Sequence, residues 1–271
     1  MLIGKKDFPI GRRTYIVGIL NVTPDSFYDG GRHDNVGAAV RHAQQLIDDG
    51  ADIIEVGGES TRPGHVQVDE KTELDRVLPV IEELSKLTDT PIAIDTTKSG
   101  VADAALKSGA SMVNDISCFT LDKKLPAVCA NHNAVCCVMH NRDDKSYRNL
   151  LLDVMMDILK GVNKLEMAGV PTDRIVIDPG IGFAKATYDN LVILRNISFF
   201  TSYEYPVMIG TSRKSFMGKI LGLGIEERLS STIATTALAI NQSVDFVRVH
   251  DVLENKRAAM MADELVRNRH K

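Results

Sequence analysis

Residues 15–26 read YIVGILNVTPDS, an apolar run that stops at an asparagine and gives way to a polar loop containing a proline. Continuous apolar runs of this length are typical of parallel strands that are covered on both faces. The same pattern recurs along the chain and predicts further strands of this kind. Counting the first, the predicted strands are Tyr15–Asn21, Ile53–Val56, Pro91–Asp95, Met112–Asn114, Ala134–Met139, Ile175–Asp178, Val207–Gly210 and Phe246–Val249.

Apolar residues at spacings of three and four predict amphipathic helices between these strands, most clearly at Gly37–Asp49, Glu73–Leu87 and Leu151–Met167. Left-handed glycines are expected to end the helices before three of the strands, at Gly50, Gly109 and Gly169. Alternating strand–helix units favour a (β/α)8 barrel, an α/β fold of eight parallel strands that typically needs about 250 residues. Residues 1–271 are therefore predicted to form one domain, with a doubly wound open sheet as the alternative.

The composition is that of an ordinary globular protein, with 32 basic and 36 acidic residues and a formal net charge of -4. This balance does not favour a nucleic-acid or membrane partner. No apolar run reaches the ~18 residues of a membrane span, and the first residues lack the apolar stretch of a secretory signal. The four cysteines form no C-x-x-C pair, so we expect reduced, buried thiols and a cytoplasmic protein.

Polar side chains follow every predicted strand at its carboxyl end, where the active site of such a barrel is built. The cations among them favour an anionic ligand such as phosphate or diphosphate, and they are Arg62, Arg213, Lys214, Arg248 and His250. Acceptor groups on Asp95, Asn114 and Asp178 favour a neutral heterocycle that is rich in N–H donors. Together these residues predict a transferase that acts on a heterocycle with an anionic leaving group.

The loop sequences resemble, in chain order, the signatures of the dihydropteroate synthases. They are residues 18–27 (GILNVTPDSF), 57–64 (GGESTRPG), 95–98 (DTTK), 114–116 (NDI), 139–140 (MH), 178–183 (DPGIGF), 212–215 (SRKS) and 248–252 (RVHDV). Each motif is weak alone, but together they keep the family's order from about residue 15 to about residue 255, nearly the whole chain.

The resemblance implies a transferase of folate biosynthesis that condenses 6-hydroxymethyl-7,8-dihydropterin diphosphate with p-aminobenzoate to give 7,8-dihydropteroate. It implies a dissociative reaction, in which diphosphate leaves before the aniline nitrogen attacks, and competition by sulfonamides at the p-aminobenzoate site. Because the aniline is already neutral, no general base is expected, and we interpret His140 as a hydrogen-bonded scaffold residue. The alternatives are a pterin-dependent methyltransferase on the same barrel, a non-catalytic pterin-binding paralogue, and a phosphate-binding barrel of central metabolism.

The same resemblance implies a role for individual residues. The pterin ring would contact Asp95, Asn114, Met139, Asp178 and Lys214. The diphosphate would be bound by Asn21, Thr61, Arg62, Arg248 and His250, with Mg²⁺ coordinated through Asn21. The p-aminobenzoate would contact Phe27, Pro63, Phe183, Arg213, Lys214 and Ser215, the last of which is expected to begin a helix. The residues expected to act in catalysis are Asn21, Asp95, Lys214, Arg248 and His250.

The expected partners are the two small-molecule substrates and a second copy of the chain. The resemblance implies a homodimer that forms through the late helical segments around Glu227–Asn241 and Val252–Asn268.

Three residues depart from the family pattern. Ala184 stands where the family has glycine, and a positive φ there would cost about 1 kcal/mol. Glu55 stands where the family usually has aspartate, and we expect this longer acid to point into the barrel and crowd a neighbour. His65 stands where a small residue is expected. We expect these departures to alter substrate affinity rather than the class of reaction.

Overall fold

The structure is a computed structural model that describes residues 1–23, 32–59 and 68–267, without the side chains of residues 32–34. A short antiparallel hairpin of β1 (Leu2–Ile3) and β2 (Lys6–Asp7) precedes the parallel strands. These are β3 (Tyr15–Asn21), β4 (Ile53–Gly57), β5 (Ile92–Asp95), β6 (Met112–Asp115), β7 (Val135–Met139), β8 (Ile175–Asp178), β9 (Met208–Ile209) and β10 (Phe246–Val249).

The parallel strands form a barrel. They pair in the order β8-β7-β6-β5-β4-β3-β10-β9. A parallel bridge between Ile177 and Val207 joins β8 to the residue before β9 and brings the two edges together. The predicted (β/α)8 fold is therefore confirmed, and the alternative of an open sheet is wrong. Strands β3, β8 and β10 have their predicted bounds, and the others differ by one residue at an end or, for β9, at both ends.

Helices follow the strands and cover the outside of the barrel. They are α1 (Arg32–Asp48), α2 (Glu70–Leu87), α3 (Ser99–Lys107), α4 (Leu125–Asn131), α5 (Leu150–Met167), α6 (Thr187–Arg195), α7 (Ile197–Thr201), α8 (Ser215–Leu221), α9 (Leu229–Ile240) and α10 (Val252–Val266). Helix α2 begins three residues earlier than its apolar periodicity predicts, because the Asp69 carboxylate caps it by accepting from the Thr72 N–H at 2.6 Å. None of the described helices is long and apolar enough to cross a membrane.

The predicted glycine stops are confirmed, with φ values of 102° at Gly50, 116° at Gly109 and 100° at Gly169. Gly109 also marks a close approach, since a Cβ atom there would lie 2.5 Å from the Cβ of Ser85 on α2. The glycine thus lets the chain turn from α3 into β6 while packing against the neighbouring helix.

Alternation along the strands separates the core into two apolar layers. The inner layer fills the amino end of the barrel, where the β1–β2 hairpin covers it, and consists of Ile3, Phe8, Tyr15, Val17, Ile53, Ala93, Met112, Val135, Cys137, Val176, Met208 and Phe246. The outer layer lies between sheet and helices and includes the intervening residues, such as Ile54, Val113 and Cys136. Continuing the inner alternation toward the carboxyl end reaches polar residues instead, on several strands at once. This change from apolar to polar positions the candidate site.

Candidate active site

A narrow cleft opens at the carboxyl end of the barrel. Its walls include seven residues that the sequence predicts for the site: Asp95, Asn114, Met139, Asp178, Phe183, Lys214 and Arg248. They come from β5, β6, β7, β8 and β10 and from the loops after β8 and β9. Three other residues complete the lining, and the sequence assigned no role to them: Ile116, Ile181 and Gly210. Ile116 and Ile181 lie within two of the strand-end motifs, but nothing in a motif distinguishes an apolar wall of the cleft from ordinary core.

The floor of the cleft holds a buried ion cluster. The Arg248 guanidinium donates to the Glu55 carboxylate through Nε at 2.5 Å and to Asp95 Oδ2 through Nη2 at 3.1 Å. Burial and the neighbouring charge of Glu55 raise the pKa of Asp95 to about 8, although Arg248 opposes this shift. Two carboxyl groups thus share one guanidinium, and burial beside Glu55 favours the protonated form of Asp95 more than in an exposed aspartate.

Asp178 ends β8 on the opposite wall. Its Oδ1 accepts from the backbone N–H of Gly180 at 2.7 Å. Burial raises its pKa from 3.8 to about 6, against the opposing effects of the Gly180 hydrogen bond and of Lys214. Near neutral pH the group is therefore ionised and can accept hydrogen bonds from a ligand.

Lys214 and Phe183 face each other across the mouth of the cleft. The Lys214 ammonium lies 4.1 Å from the centre of the Phe183 ring, within the range of a cation–π interaction. Burial and the charge of Arg248 lower the Lys214 pKa to about 8. Gly182 permits this arrangement, because its φ is 86° and a Cβ atom there would lie 3.0 Å from Lys214 Cδ.

In the loop after β8, alanine stands at position 184, where the family has glycine, and the backbone there has the positive φ that is costly for alanine. Ala184 adopts a φ of 49°, and its carbonyl accepts from the Tyr147 hydroxyl at 2.7 Å. The next residue, Lys185, is buried and donates to the carbonyls of Gly180 and Phe183 at 3.0 and 2.9 Å. These bonds hold the loop in place despite the strain at Ala184.

His140, at the end of β7, belongs to the scaffold of this loop. Its buried Nδ1 accepts from Lys185 Nζ at 2.8 Å, which leaves the ring proton on Nε2, 3.5 Å from Asp157 Oδ2. Burial and the charge of Lys185 lower the His140 pKa to about 3, and burial lowers the Lys185 pKa to about 7. A neutral, internally bonded imidazole of this kind orients a loop and is not a base aimed at a substrate.

His250 and Asn21 lie beside the cleft. The Ser212 hydroxyl accepts from the His250 backbone N–H at 3.2 Å and lies 2.9 Å from His250 Nδ1. The hydroxyl proton can then be donated to Nδ1, so that Nε2 carries the ring proton as a donor. Burial and the charge of Arg248 lower the His250 pKa to about 4. Asn21 is half-buried at the end of β3, where a Cβ atom on Gly57 would lie 3.7 Å from Asn21 Oδ1 and 3.9 Å from Asp95 Oδ2.

Arg213 and Ser215 flank Lys214 but are not among the described residues that line the cleft. The Arg213 guanidinium donates to Asp251 through Nε at 2.9 Å and Nη2 at 2.6 Å, and to Glu226 through Nη1 at 2.7 Å. Ser215 is exposed and begins α8, as predicted. Phe27, Thr61, Arg62, Pro63 and His65, which the sequence also singles out, lie outside the described residues.

A second, more open cleft lies outside the barrel, between α5 and the loop after β7. Its cations already have partners: Arg142 and Lys160 bind Asp157, and Lys164 donates to the Phe119 carbonyl. Among the described residues, the predicted site residues all lie away from it. The central cleft is therefore the candidate active site.

Comparison with known proteins agrees with this geometry. A model of the pterin binding enzyme family matches residues 17–250. A dihydropteroate synthase of Clostridium beijerinckii is 50% identical over 98% of this chain and 100% of its own length. The chain belongs to the dihydropteroate synthase family.

Solved structures of dihydropteroate synthases have the same fold. One from Clostridium difficile, determined in the presence of pteroic acid, has a TM-score of 0.94 and 47% identity, covering 96% of this chain and 100% of that chain. One from Xanthomonas albilineans, with 4-aminobenzoic acid, has a TM-score of 0.90 and 37% identity, covering 94% of each chain. Dihydropteroate synthases are transferases, and this chain is an enzyme of that class.

Proposed function

We propose that the chain condenses 6-hydroxymethyl-7,8-dihydropterin diphosphate with p-aminobenzoate, giving 7,8-dihydropteroate and diphosphate. One observation carries the assignment of this reaction to the central cleft. Buried acceptors on Asp95, Asn114 and Asp178 face a space whose mouth is bounded by the Lys214 cation and the Phe183 ring. Acceptors at the floor suit the N–H groups of a pterin, while a cation and an aromatic ring at the mouth suit a benzoate.

In this proposal the pterin binds deep in the cleft. The ionised Asp178 accepts from the N–H groups of the amino-pyrimidinone edge, and Asn114 accepts from another ring N–H. Met139, Ile116 and Ile181 provide apolar walls for the ring. These contacts orient the pterin methylene toward the mouth, where Lys214 lies.

The first chemical step is loss of diphosphate, which leaves positive charge on the methylene and the ring. Arg248 and the Nε2 proton of His250 bind the departing anion, together with Thr61 and Arg62 from the loop after β4. The positive charge on the ring favours the ionised form of Asp95, so its attraction strengthens as the transition state forms. As the carbon–oxygen bond breaks, cationic side chains thus stabilise the departing diphosphate, and carboxylates stabilise the positive charge on the pterin.

The second step is attack by the aniline nitrogen of p-aminobenzoate on the methylene. The amine is a neutral nucleophile and loses a proton after the carbon–nitrogen bond forms. Phe183 and the aliphatic part of Lys214 hold the benzene ring, and Phe27, Pro63, Arg213 and Ser215 complete the benzoate site. The Arg213 guanidinium binds Asp251 and Glu226, so we propose that Arg213 contributes to the benzoate site through its backbone, which has a φ of 53°.

We further propose Mg²⁺ as the metal, bound through Asn21. The Asn21 oxygen and the nearby Asp95 carboxylate are hard oxygen donors, which fit this ion. In the described part of the chain no group of three or more His, Cys, Asp or Glu could hold a metal. Few protein ligands are needed, since Mg²⁺ usually keeps waters and phosphate oxygens. When bound, the ion would supply charge neutralisation to the leaving diphosphate.

We also propose that residues 1–271 form one domain, which assembles as a homodimer in the cytoplasm. Exposed apolar side chains on the late helices support the dimer, and they are Leu221, Leu238, Met260, Met261 and Leu265. Leu238→Asp should convert the dimer into monomer in a light-scattering measurement of mass. A monomeric wild-type protein would contradict this proposal.

The experiment that tests the function follows diphosphate release from the pterin diphosphate with Mg²⁺, with and without p-aminobenzoate. Release should depend on p-aminobenzoate, yield dihydropteroate, and fall at least ~1000-fold in Lys214→Ala. A sulfonamide should compete with p-aminobenzoate. Pterin binding without release would instead point to the methyltransferase or to the non-catalytic paralogue.

A further inference from the structure

Glu55 lies beneath the candidate active site rather than in it. It occupies the inner face of β4, between Ile19 of β3 and Ala93 of β5 in the register of the sheet. Its side chain is 1% exposed, and it is not among the described residues that line the cleft. Hydrogen bonds from Glu55 therefore act on a ligand only by way of the side chains that line the cleft.

Both oxygens of the Glu55 carboxylate are bound to residues that do line the cleft. Asn114 Nδ2 donates to Glu55 Oε2 at 3.0 Å, and Arg248 Nε donates to Glu55 Oε1 at 2.5 Å. One carboxylate thus bridges β6 and β10 across the inside of the barrel. The longer acid is thus able to reach both partners at once.

The carboxylate determines which end of the Asn114 amide faces the ligand. An ionised carboxylate only accepts hydrogen bonds, so it binds the NH₂ end and turns the oxygen away. Asn114 is 2% exposed, and its Oδ1 is buried with no hydrogen-bond partner among the described residues. A buried acceptor without a partner is unfavourable, unless a bound ligand supplies the donor.

We infer that Glu55 is a positioning residue, which fixes the Asn114 amide so that the cleft presents an oxygen acceptor and selects a ligand edge that carries an N–H donor. The inference rests on the proposed function, because it takes that edge to belong to a pterin. It goes further in assigning part of the ligand selection to a residue that the ligand does not touch. Glu55 also holds the Arg248 guanidinium beside Asp95, so the same carboxylate orders two walls of the cleft.

Two substitutions at position 55 separate this role from space filling. Glu55→Gln keeps the size but adds an N–H donor, which can bind Asn114 Oδ1 and turn Nδ2 toward the cleft. Glu55→Asp loses a methylene but keeps a group that only accepts. We expect the dissociation constant for pterin, measured by calorimetry, to rise about 100-fold in Glu55→Gln and less than ~10-fold in Glu55→Asp. A space-filling role predicts the reverse order and would overturn the inference.

A second substitution should restore binding in Glu55→Gln. In the double variant Glu55→Gln with Asn114→Asp, the new carboxylate accepts from Gln at position 55 and still presents an oxygen to the cleft. The net charge of the buried cluster is also kept. We expect pterin affinity within ~10-fold of wild type, whereas Asn114→Asp alone sets two carboxylates against each other and should lose about 100-fold. Losses that simply add in the double variant would overturn the inference.

Asp52→Asn is the matched control. It removes the charge of a different carboxylate, which directly precedes β4 at the amino end of the barrel. It should leave pterin affinity unchanged. Thermal unfolding shows whether each variant is folded. Recovery of pterin affinity in the double variant shows in addition that the substitution at position 55 does not prevent folding. If the wild-type protein binds no pterin, the proposed function fails; if it binds and Glu55→Gln binds equally well, only the inference fails.

Discussion

Asp52 at the amino end of the barrel and Asp178 and Asp95 at its carboxyl end are buried carboxyl groups whose pKa values shift in opposite directions. At the amino end, burial acts to raise the Asp52 pKa, but hydrogen bonds from Arg13 and from the Ile16 backbone outweigh it and the pKa is lowered. The Arg13 bonds measure 3.1 and 2.7 Å and the Ile16 bond 2.9 Å. At the carboxyl end, burial prevails and raises the pKa of Asp178 to about 6 and of Asp95 to about 8.

The two carboxyl groups therefore affect the stability of the fold in opposite ways as the pH changes. Asp52 stabilises the fold above its unfolded pKa, and that contribution is lost as the pH falls through the lowered folded pKa. Asp178 has a raised folded pKa, so the fold binds its proton more tightly than the unfolded chain does. Its contribution to stability therefore declines as the pH rises from its ordinary pKa of 3.8 to about 6. Near neutral pH the ionised form of Asp52 therefore stabilises the folded state, whereas the ionised form of Asp178 destabilises it.

The largest effect is expected for Asp178→Asn. Replacing the acceptor-only carboxylate with an amide removes an acceptor for the pterin edge, so turnover should fall at least ~1000-fold. The same change removes a poorly solvated charge, so the free energy of unfolding at pH 7.5 should rise by about 1–2 kcal/mol. Steady-state kinetics and urea unfolding measure the two quantities. A loss of activity accompanied by a comparable loss of stability would contradict the contrast between the two ends.

Asp52→Asn should show the opposite combination. Arg13, Ile16 and Lys256 all donate to the Asp52 carboxylate. Weakening these bonds should lower the free energy of unfolding by about 2–3 kcal/mol. Turnover of the folded protein should be unchanged. Urea unfolding at neutral pH, repeated near pH 3, provides the check, since the difference from wild type should shrink in acid. A difference that is constant with pH would show that the charge of Asp52 is not the cause.

The pH dependence of pterin binding should reflect the carboxyl end alone. The facing groups are Asp178, Asp95, Glu55, Lys214 and Arg248. Affinity should decrease by up to ~10-fold per pH unit below about 6, as the raised pKa of Asp178 lets it take up a proton. It should change again above about 8, where Lys214 loses its charge and Asp95 loses its proton. Calorimetric titration from pH 5 to pH 9 would detect this window, and a flat profile would exclude it.

The smallest effect is expected for Lys185→Met. The substitution keeps the shape of the side chain but removes the bonds to the Gly180 and Phe183 carbonyls. We expect the KM for p-aminobenzoate to rise about 5- to 10-fold while the dissociation constant for pterin stays the same, because Phe183 is at the mouth of the cleft. Because these carbonyls and His140 Nδ1 lose their donor, the free energy of unfolding should fall by about 1–2 kcal/mol. An equal effect on both ligands would show that the loop supports the whole cleft.

Strand positions could be predicted because each strand is a short apolar run that ends at a polar residue. The cleft residues Asp95, Asn114 and Asp178 could be predicted for the same reason, since inward alternation places strand ends in one cleft. The hydrogen-bond partners of those residues could not be predicted. Glu55 meets Asn114 and Arg248 across separations of 59 and 193 positions, which no local pattern encodes. Likewise, the pairing of Arg213 with Asp251 depends on how two loops meet.

The alternation along β7 places two neighbouring thiols in different compartments. Cys137 belongs to the inner core of the barrel and Cys136 to the layer beneath the helices. Burial raises the pKa of both thiols, so neither reacts readily with an alkylating reagent while it is covered. The rate of alkylation of each thiol therefore reports a different motion. Alkylation of Cys136 reports the separation of the helices from the sheet, and alkylation of Cys137 reports the opening of the barrel. Mass spectrometry of the two alkylated cysteines on β7 would show whether the helices separate from the sheet before the barrel opens.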